Sequence, residues 1–239
     1  MPAITAVVPV SSSLAGAVPV RLGGLDLILH PEGAALVPAE ETLIVADLHL
    51  EKAASFAARG RLLPPHDSVA TLGALSALAG ALAPRRIVLL GDSFHSRLHT
   101  FGAASPGPAL IAGLAARAEL VWIAGNHDPV PPLPLPGRAL PELRIGDVVL
   151  RHLPCRDGRP EIVGHLHPAA RLRTRAGALR RRCFLLSPAR LVLPAFGALT
   201  GALDADDPAI ADWFPDRAGH AFLLGRAGLS RVPLAAVMG

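Results

Sequence analysis

Apolar residues along this chain fall in short blocks, and the polar residues that end several of those blocks are alike. LVWIAGNHDPV (120–130) runs apolar through Ile123 and then presents Gly125, Asn126, His127 and Asp128. Such a block, bounded by a glycine, predicts a strand buried on both faces. The glycine allows a sharp turn that sets the next side chains at the sheet's carboxyl edge. A single Asn-His-Asp would suit a turn. The pattern repeats, however. TLIVADLHL (42–50) ends in Asp47 and His49, RRIVLLGDSFHS (86–96) in Asp92 and His95, DVVLRHLP (147–154) in His152, and EIVGHLHP (161–168) in His165 and His167. Repeated endings in Asp, His and Asn point to a metal site.

The remaining pattern predicts the frame. Short strands are expected at 18–23, 25–30, 34–38 and 42–47, separated by Gly, Pro or Glu-rich turns. Helices are expected over 51–60 and 67–83, the second opening at Asp67 or Ser68 as N-cap and closing before Pro84. Strand 86–91, a helix from about Pro106 to Ala118 and strand 120–124 follow, an alternation that suggests parallel pairing. The stretch PVPPLPLPGRALP (129–141) reads as a loop with no regular element. Beyond it come strands at 142–145, 147–152, 161–165, 169–175, 179–187, 190–193, 220–225 and 228–233. The expected fold is α/β, two mixed β-sheets packed face to face with helices outside, in one domain over 17–239. Residues 1–16 lack a basic n-region and are broken by Pro9, so they read as a frayed tail and not as a signal peptide.

Composition narrows the class. The 239 residues are 51% hydrophobic, enough for a well-filled core. No apolar run approaches the roughly 18–20 residues of a membrane span. Two cysteines, Cys155 and Cys183, cannot form a disulfide framework and fit a reduced cytoplasm; both are expected to be small buried hydrophobes. The net charge of +4 comes from one Lys and twenty-two Arg, which permits a polyanionic substrate without demanding one.

The ordered blocks D-x-H, GD, GNHD, H and GHxH, spread over 47–167, resemble the calcineurin-like metallophosphoesterase superfamily. GDSFHS (91–96), GHLHP (164–168) and LPAFGALTG (193–201) look most like its bacterial ligase-associated DNA damage response branch of phosphodiesterases and endonucleases. The resemblance implies an αββα sandwich and two divalent metal ions. Asp47, His49, Asp92 and His167 would hold one, and Asp92, Asn126, His152 and His165 the other, with Asp92 as the bridge. Phosphoester hydrolysis needs a nucleophile made from water at neutral pH and neutralised phosphoryl charge. Two metals roughly 3.5–4 Å apart supply both. A set of imidazole and oxygen ligands without thiolate suits manganese, iron or zinc, and the resemblance favours manganese.

His127 and Asp128 are left over. A His beside the metals suits proton donation to the leaving oxygen, and Asp128 is expected to orient its ring. His95 reads either as a substrate or supporting residue or as a plain loop His, and Arg97 as a phosphate contact near the GD block. Arg171, Arg173 and Arg175 alternate along a strand after GHLHP, with Arg180, Arg181 and Arg182 following. They are either a solvated face or contacts to nucleic-acid phosphates. His99 is expected to be exposed, and His30, His66 and His220 structural. The function expected is a metal-dependent phosphodiesterase or endonuclease acting on DNA or a nucleotide-like diester, in DNA repair and in association with a DNA ligase and nuclease system. A phosphomonoesterase or protein phosphatase of the same superfamily, or an inactive scaffold, are the alternatives; the scaffold is disfavoured because every ligand position is filled.

Overall fold

In the computed structural model, which describes residues 12–96, 101–102, 105–129, 135–174 and 177–239, the apolar blocks become strands whose two faces enter different cores. The first sheet has seven strands in chain order among the described residues. They are β1 (Val18–Leu22), β2 (Leu25–Leu29), β3 (Ala35–Val37), β4 (Thr42–Val45), β5 (Arg86–Leu90), β6 (Glu119–Ile123) and β7 (Arg138–Leu140). Neighbours are antiparallel through β4 and parallel from β4 to β7. Helices α1 (Lys52–Ala57) and α2 (Asp67–Leu82) connect β4 to β5, and α3 (Gly107–Ala115) connects β5 to β6.

The second sheet is built from β8 (Leu143–Ile145), β9 (Val148–Arg151), β10 (Glu161–Val163), β11 (Pro168–Thr174), β12 (Gly177–Leu186), β13 (Arg190–Val192) and β14 (Leu203–Asp204). After the short helix α4 (Pro208–Ala211), the hairpin β15 (His220–Gly225) and β16 (Gly228–Pro233) adds to β12. Its strand path runs β14-β11-β12-β13-β10-β9-β8.

Period-two alternation sorts the strand residues. Ile44, Val88 and Val121 face inward and meet Leu150, Ile162 and Phe184 of the second sheet. Leu43, Val45, Ile87 and Leu120 face outward against Leu72 and Leu75 of α2 and Ile111 and Leu114 of α3. On the far side Cys183, Leu185, Val192 and Leu223 pack under Ile210 of α4, Phe214 and Leu234. Helices, sheet, sheet and a thin outer cover make the expected sandwich. Full burial of each such Leu or Ile contributes roughly 1.5–3 kcal/mol.

Four expectations need correction. Asp67 and Ser68 do not cap α2, whose N-cap is His66 in a left-handed conformation. The Asp67 carboxylate instead accepts from the backbone amides of Lys52 and Ala53, satisfying the free donors of α1, and Ser68 Oγ accepts from Glu51 N. The helices expected over 51–60 and from Pro106 to Ala118 form only over Lys52–Ala57 and Gly107–Ala115. The stretch 129–141 is not loop throughout: between Gly137 and Pro141 three residues with backbone donors, Arg138–Leu140, add to β6 as an edge strand. Cys183 is buried but Cys155 is exposed. Among the described residues no helix is long and apolar enough to cross a membrane.

The register places the site. β4, β5 and β6 are parallel, with Val45 opposite Leu89 and Leu89 opposite Trp122, so Asp47, Asp92 and Asn126 emerge side by side from one edge. In the second sheet β9 and β10 are parallel, with Arg151 opposite Val163, so His152 and His165 lie just beyond. A bridge between Ala46 and Ala195 joins the two sheets there.

Candidate metal centre

Two clusters of ligand atoms form where these strands end. Asp47, His49 and His167 make one, Asp92, His152 and His165 the other. The backbone curls at five of these six residues instead of continuing the strand. Asp47, His49, Asp92, His165 and His167 all have positive φ, between 43° and 66°. Left-handed geometry costs a residue with a Cβ about 1–2 kcal/mol, and such strain gathers at functional sites. The glycines of the motifs have steric reasons. A Cβ on Gly91 would lie 2.4 Å from the His152 ring, and one on Gly125 would lie 2.2 Å from Asp92 Oδ1.

Each carboxylate is clamped through the backbone and turned toward the centre. Asp47 Oδ2 accepts from His165 N at 2.9 Å, while its Oδ1 lies 3.1 Å from His167 Nε2. Asp92 Oδ1 accepts from His127 N at 2.8 Å. Its Oδ2 lies 3.3 Å from His152 Nε2 in one cluster and 3.9 Å from His49 Nε2 in the other. Asn126 Oδ1 is 3.0 Å from His152 Nε2, which adds it to the second cluster. Asp47 and Asp92 are buried, as are His49 and His152.

These contacts fit cations better than hydrogen bonds alone. His152 Nδ1 lies 3.1 Å from the Leu90 carbonyl, which favours a proton there and turns Nε2 toward two oxygen acceptors. His49 Nε2 and His167 Nε2 face each other at 3.3 Å. Ligands about 2.0–2.2 Å from one cation lie about 3–3.5 Å apart, the spacing seen between these atoms. Electrostatics agree. Burial pulls His49 down to about 3, leaving the neutral imidazole that metals require. Burial likewise lowers His165. Burial would also lower His152 and raise Asp92, but their mutual hydrogen bond and charges outweigh it, raising His152 and holding Asp92 at about 2. The pocket at Asp92 and His152 therefore favours positive charge.

His127 lies beside both clusters, half-exposed, with Nε2 3.9 Å from Asp92 Oδ2. Its Nδ1 pairs with the carbonyl of His95 at 3.0 Å. The His127 ring, expected to be oriented by Asp128, thus meets a backbone carbonyl. Asp128 itself is buried and accepts from Phe94 N at 2.9 Å, fixing the turn that carries that carbonyl. Burial, reinforced by Asp92, raises Asp128 to about 7. The His95 ring stacks on His127, with centroids 5.4 Å apart, and Phe56 of α1 packs on its other side. Lys52 sits over Phe56, and neither residue carried a signal in the sequence.

The arginines divide. Arg171 lies on β11, exposed and tied to Asp204, and not at the clusters. Arg173 lies in β11, its side chain outside what the structure describes, and Arg97, Arg175 and His99 are outside the described residues. His30 bonds the Ser13 carbonyl and His220 meets Arg231, both away from the site. Arg182, which the sequence did not set apart from Arg180 and Arg181, hydrogen-bonds the Ala195 carbonyl beside Ala46.

No protein-family model matches the chain, and no curated protein matches it. Among solved structures, the crystal structure of Pseudomonas putida nuclease MPE is similar, with 29% sequence identity and a TM-score of 0.70. The match covers 90% of this chain and 100% of that one.

Proposed function

We propose that this chain is a metallophosphoesterase-type nuclease that hydrolyses phosphodiester bonds in DNA at a dinuclear centre of two divalent ions; the donor set suits manganese, iron or zinc, and the sequence resemblance favours manganese. The observation that carries this reading is the position of Asp92 Oδ2, within 3.9 Å of ring nitrogens from both clusters. The likeness to a nuclease over 90% of the chain supports the substrate class. Residues 17–239 act as one domain on this reading, since both sheets contribute ligands.

Asp47, His49 and His167 would hold one ion, Asn126, His152 and His165 the other, and Asp92 both. Bound there, divalent ions supply a nucleophile from water at neutral pH and neutralise phosphoryl charge. His127 then delivers a proton from Nε2 to the leaving oxygen, its ring held by the His95 carbonyl. Asp128 keeps that carbonyl in place through Phe94 N. A role in DNA repair beside a ligase and nuclease system belongs to the same proposal and rests on the sequence resemblance.

The test is a substrate panel with Mn2+, Fe2+ and Zn2+: bis-p-nitrophenyl phosphate, p-nitrophenyl phosphate, 2′,3′-cyclic nucleotides, and single- and double-stranded DNA. The expected result is DNA cleavage, with the chromogenic diester cut faster than the monoester. A clear preference for the monoester would replace this reading with a phosphatase.

A further inference from the structure

Among the described side chains, three guanidinium groups share one face of the β11–β12 hairpin, and one carboxylate serves two of them. Ala169 lies opposite Arg182 and Arg171 opposite Arg180, so these side chains stand on the same face. Asp204, on the neighbouring strand opposite Ala169, pairs with Arg171 and Arg180. Arg182 has no carboxylate partner among the described residues. Its one hydrogen bond there is from Nη1 to the Ala195 carbonyl, at 2.6 Å.

Arg182 is also the member of the set set deepest in the fold. It alternates with Phe184 of the inter-sheet core, while Cys183 between them faces the outer cluster. Its side chain therefore enters the layer between the sheets at the end where the metal ligands emerge. Ala169 follows His167 by two residues, and Ala195 is bridged to Ala46, the neighbour of Asp47. A guanidinium remains charged and has five donors in a planar fork that matches phosphate. Half-buried, with burial lowering its proton affinity and one carbonyl in return, it is an under-compensated cation beside the centre.

We propose that Arg182 binds the non-bridging oxygens of a phosphate neighbouring the scissile one, on a polynucleotide strand laid across the metal centre. This rests on the nuclease reading above. Arg171 and Arg180, neutralised in part by Asp204, play a lesser part. A simple peg for the Ala195 backbone would need the hydrogen bond but not the charge.

Arg182→Gln keeps a donor for Ala195 and removes the charge; Arg182→Lys keeps both charge and donor but not the fork. Two measurements are made on each: kcat/KM with Mn2+ on a labelled oligodeoxynucleotide and on bis-p-nitrophenyl phosphate, and oligonucleotide affinity against salt in metal-free protein. For Arg182→Gln the oligonucleotide rate should fall at least about tenfold more than the chromogenic rate, the scale of one charge-assisted hydrogen bond. The log–log salt slope should drop by about 0.7, one phosphate contact on a single strand. For Arg182→Lys the slope should stay at the wild-type value. Equal losses on both substrates, an unaltered slope in Arg182→Gln, or a slope lost equally in Arg182→Lys would each overturn the proposal. If the wild-type protein cuts neither substrate, the nuclease reading fails while the salt slope still decides on Arg182.

Discussion

The candidate metal centre and the arginine face are joined through His167 and Ala169, yet their charge balance is opposite. At the centre, carboxylate and amide oxygens and imidazole nitrogens converge within 3.0–3.9 Å. On the β11–β12 face, Arg171 and Arg180 share Asp204, and Arg182 meets only a backbone carbonyl among the described residues. Burial makes the first imbalance strong, because nearby water does not screen it. Most of the second is exposed and correspondingly weak, except at Arg182. The contrast teaches that the two regions suit opposite partners, cations at one and phosphates at the other. A polynucleotide bound with divalent ions matches both.

The largest way to break the comparison is to remove the group shared by both clusters. Asp92→Ala takes away the oxygen between His152 and His49 and leaves four neighbouring residues, Asp47, His49, His165 and His167, in strained backbone without a common bridge. Elemental analysis should show metal falling from two per chain towards one or none. Activity should drop by more than 10²-fold, since even groups that only support ligands are worth about 10–100-fold. Two tightly bound ions in this variant would end the bridging assignment.

A smaller loss should follow from His127→Ala, which takes the proton donor and leaves the ligands. Both metals should stay. Folding should change by only about 0.5 kcal/mol, as for other residues outside core packing. DNA turnover should fall about 10²–10⁴-fold. Hydrolysis of p-nitrophenyl esters should fall less, because p-nitrophenolate leaves with little help from a proton. Loss of a metal would make His127 a ligand; full DNA cleavage with both metals bound would remove it from the reaction.

The candidate centre was legible in the sequence because its side chains follow directly on five buried strands, and strand order then does the assembly. Asp47, Asp92 and Asn126 need only parallel pairing of β4, β5 and β6 to come together. Neither the partner of Asp128 nor that of Arg171 could be read the same way. Asp128 reaches back to Phe94 N, thirty-four positions away, and Arg171 is matched by Asp204, thirty-three positions on. Such pairings arise from which strands become neighbours, and β14 is two residues long, too short to leave a periodic signal. Arg182 was hidden for another reason. Among three consecutive arginines, only its alternation with Phe184 marks it as facing inward, and that requires knowing which face of β12 is the core.

The smallest effect sharpens the comparison from the arginine side. Asp204→Asn removes the carboxylate that pairs with Arg171 and Arg180 and leaves both uncompensated among the described residues. If Asp204 only neutralises them, oligonucleotide binding should tighten at low salt. A largely exposed ion pair is worth up to about 1 kcal/mol, so the gain should be about two- to fivefold. It should fade near 1 M salt, where the screening length is about 3 Å. Combined with Arg182→Gln, the two effects should add, because Asp204 does not touch Arg182. Weaker binding in Asp204→Asn would mean instead that the carboxylate aims Arg171 and Arg180 at the strand. Those two side chains would then stand with Arg182 as phosphate contacts, and the face would be a built groove and not a charged surface with one inward cation.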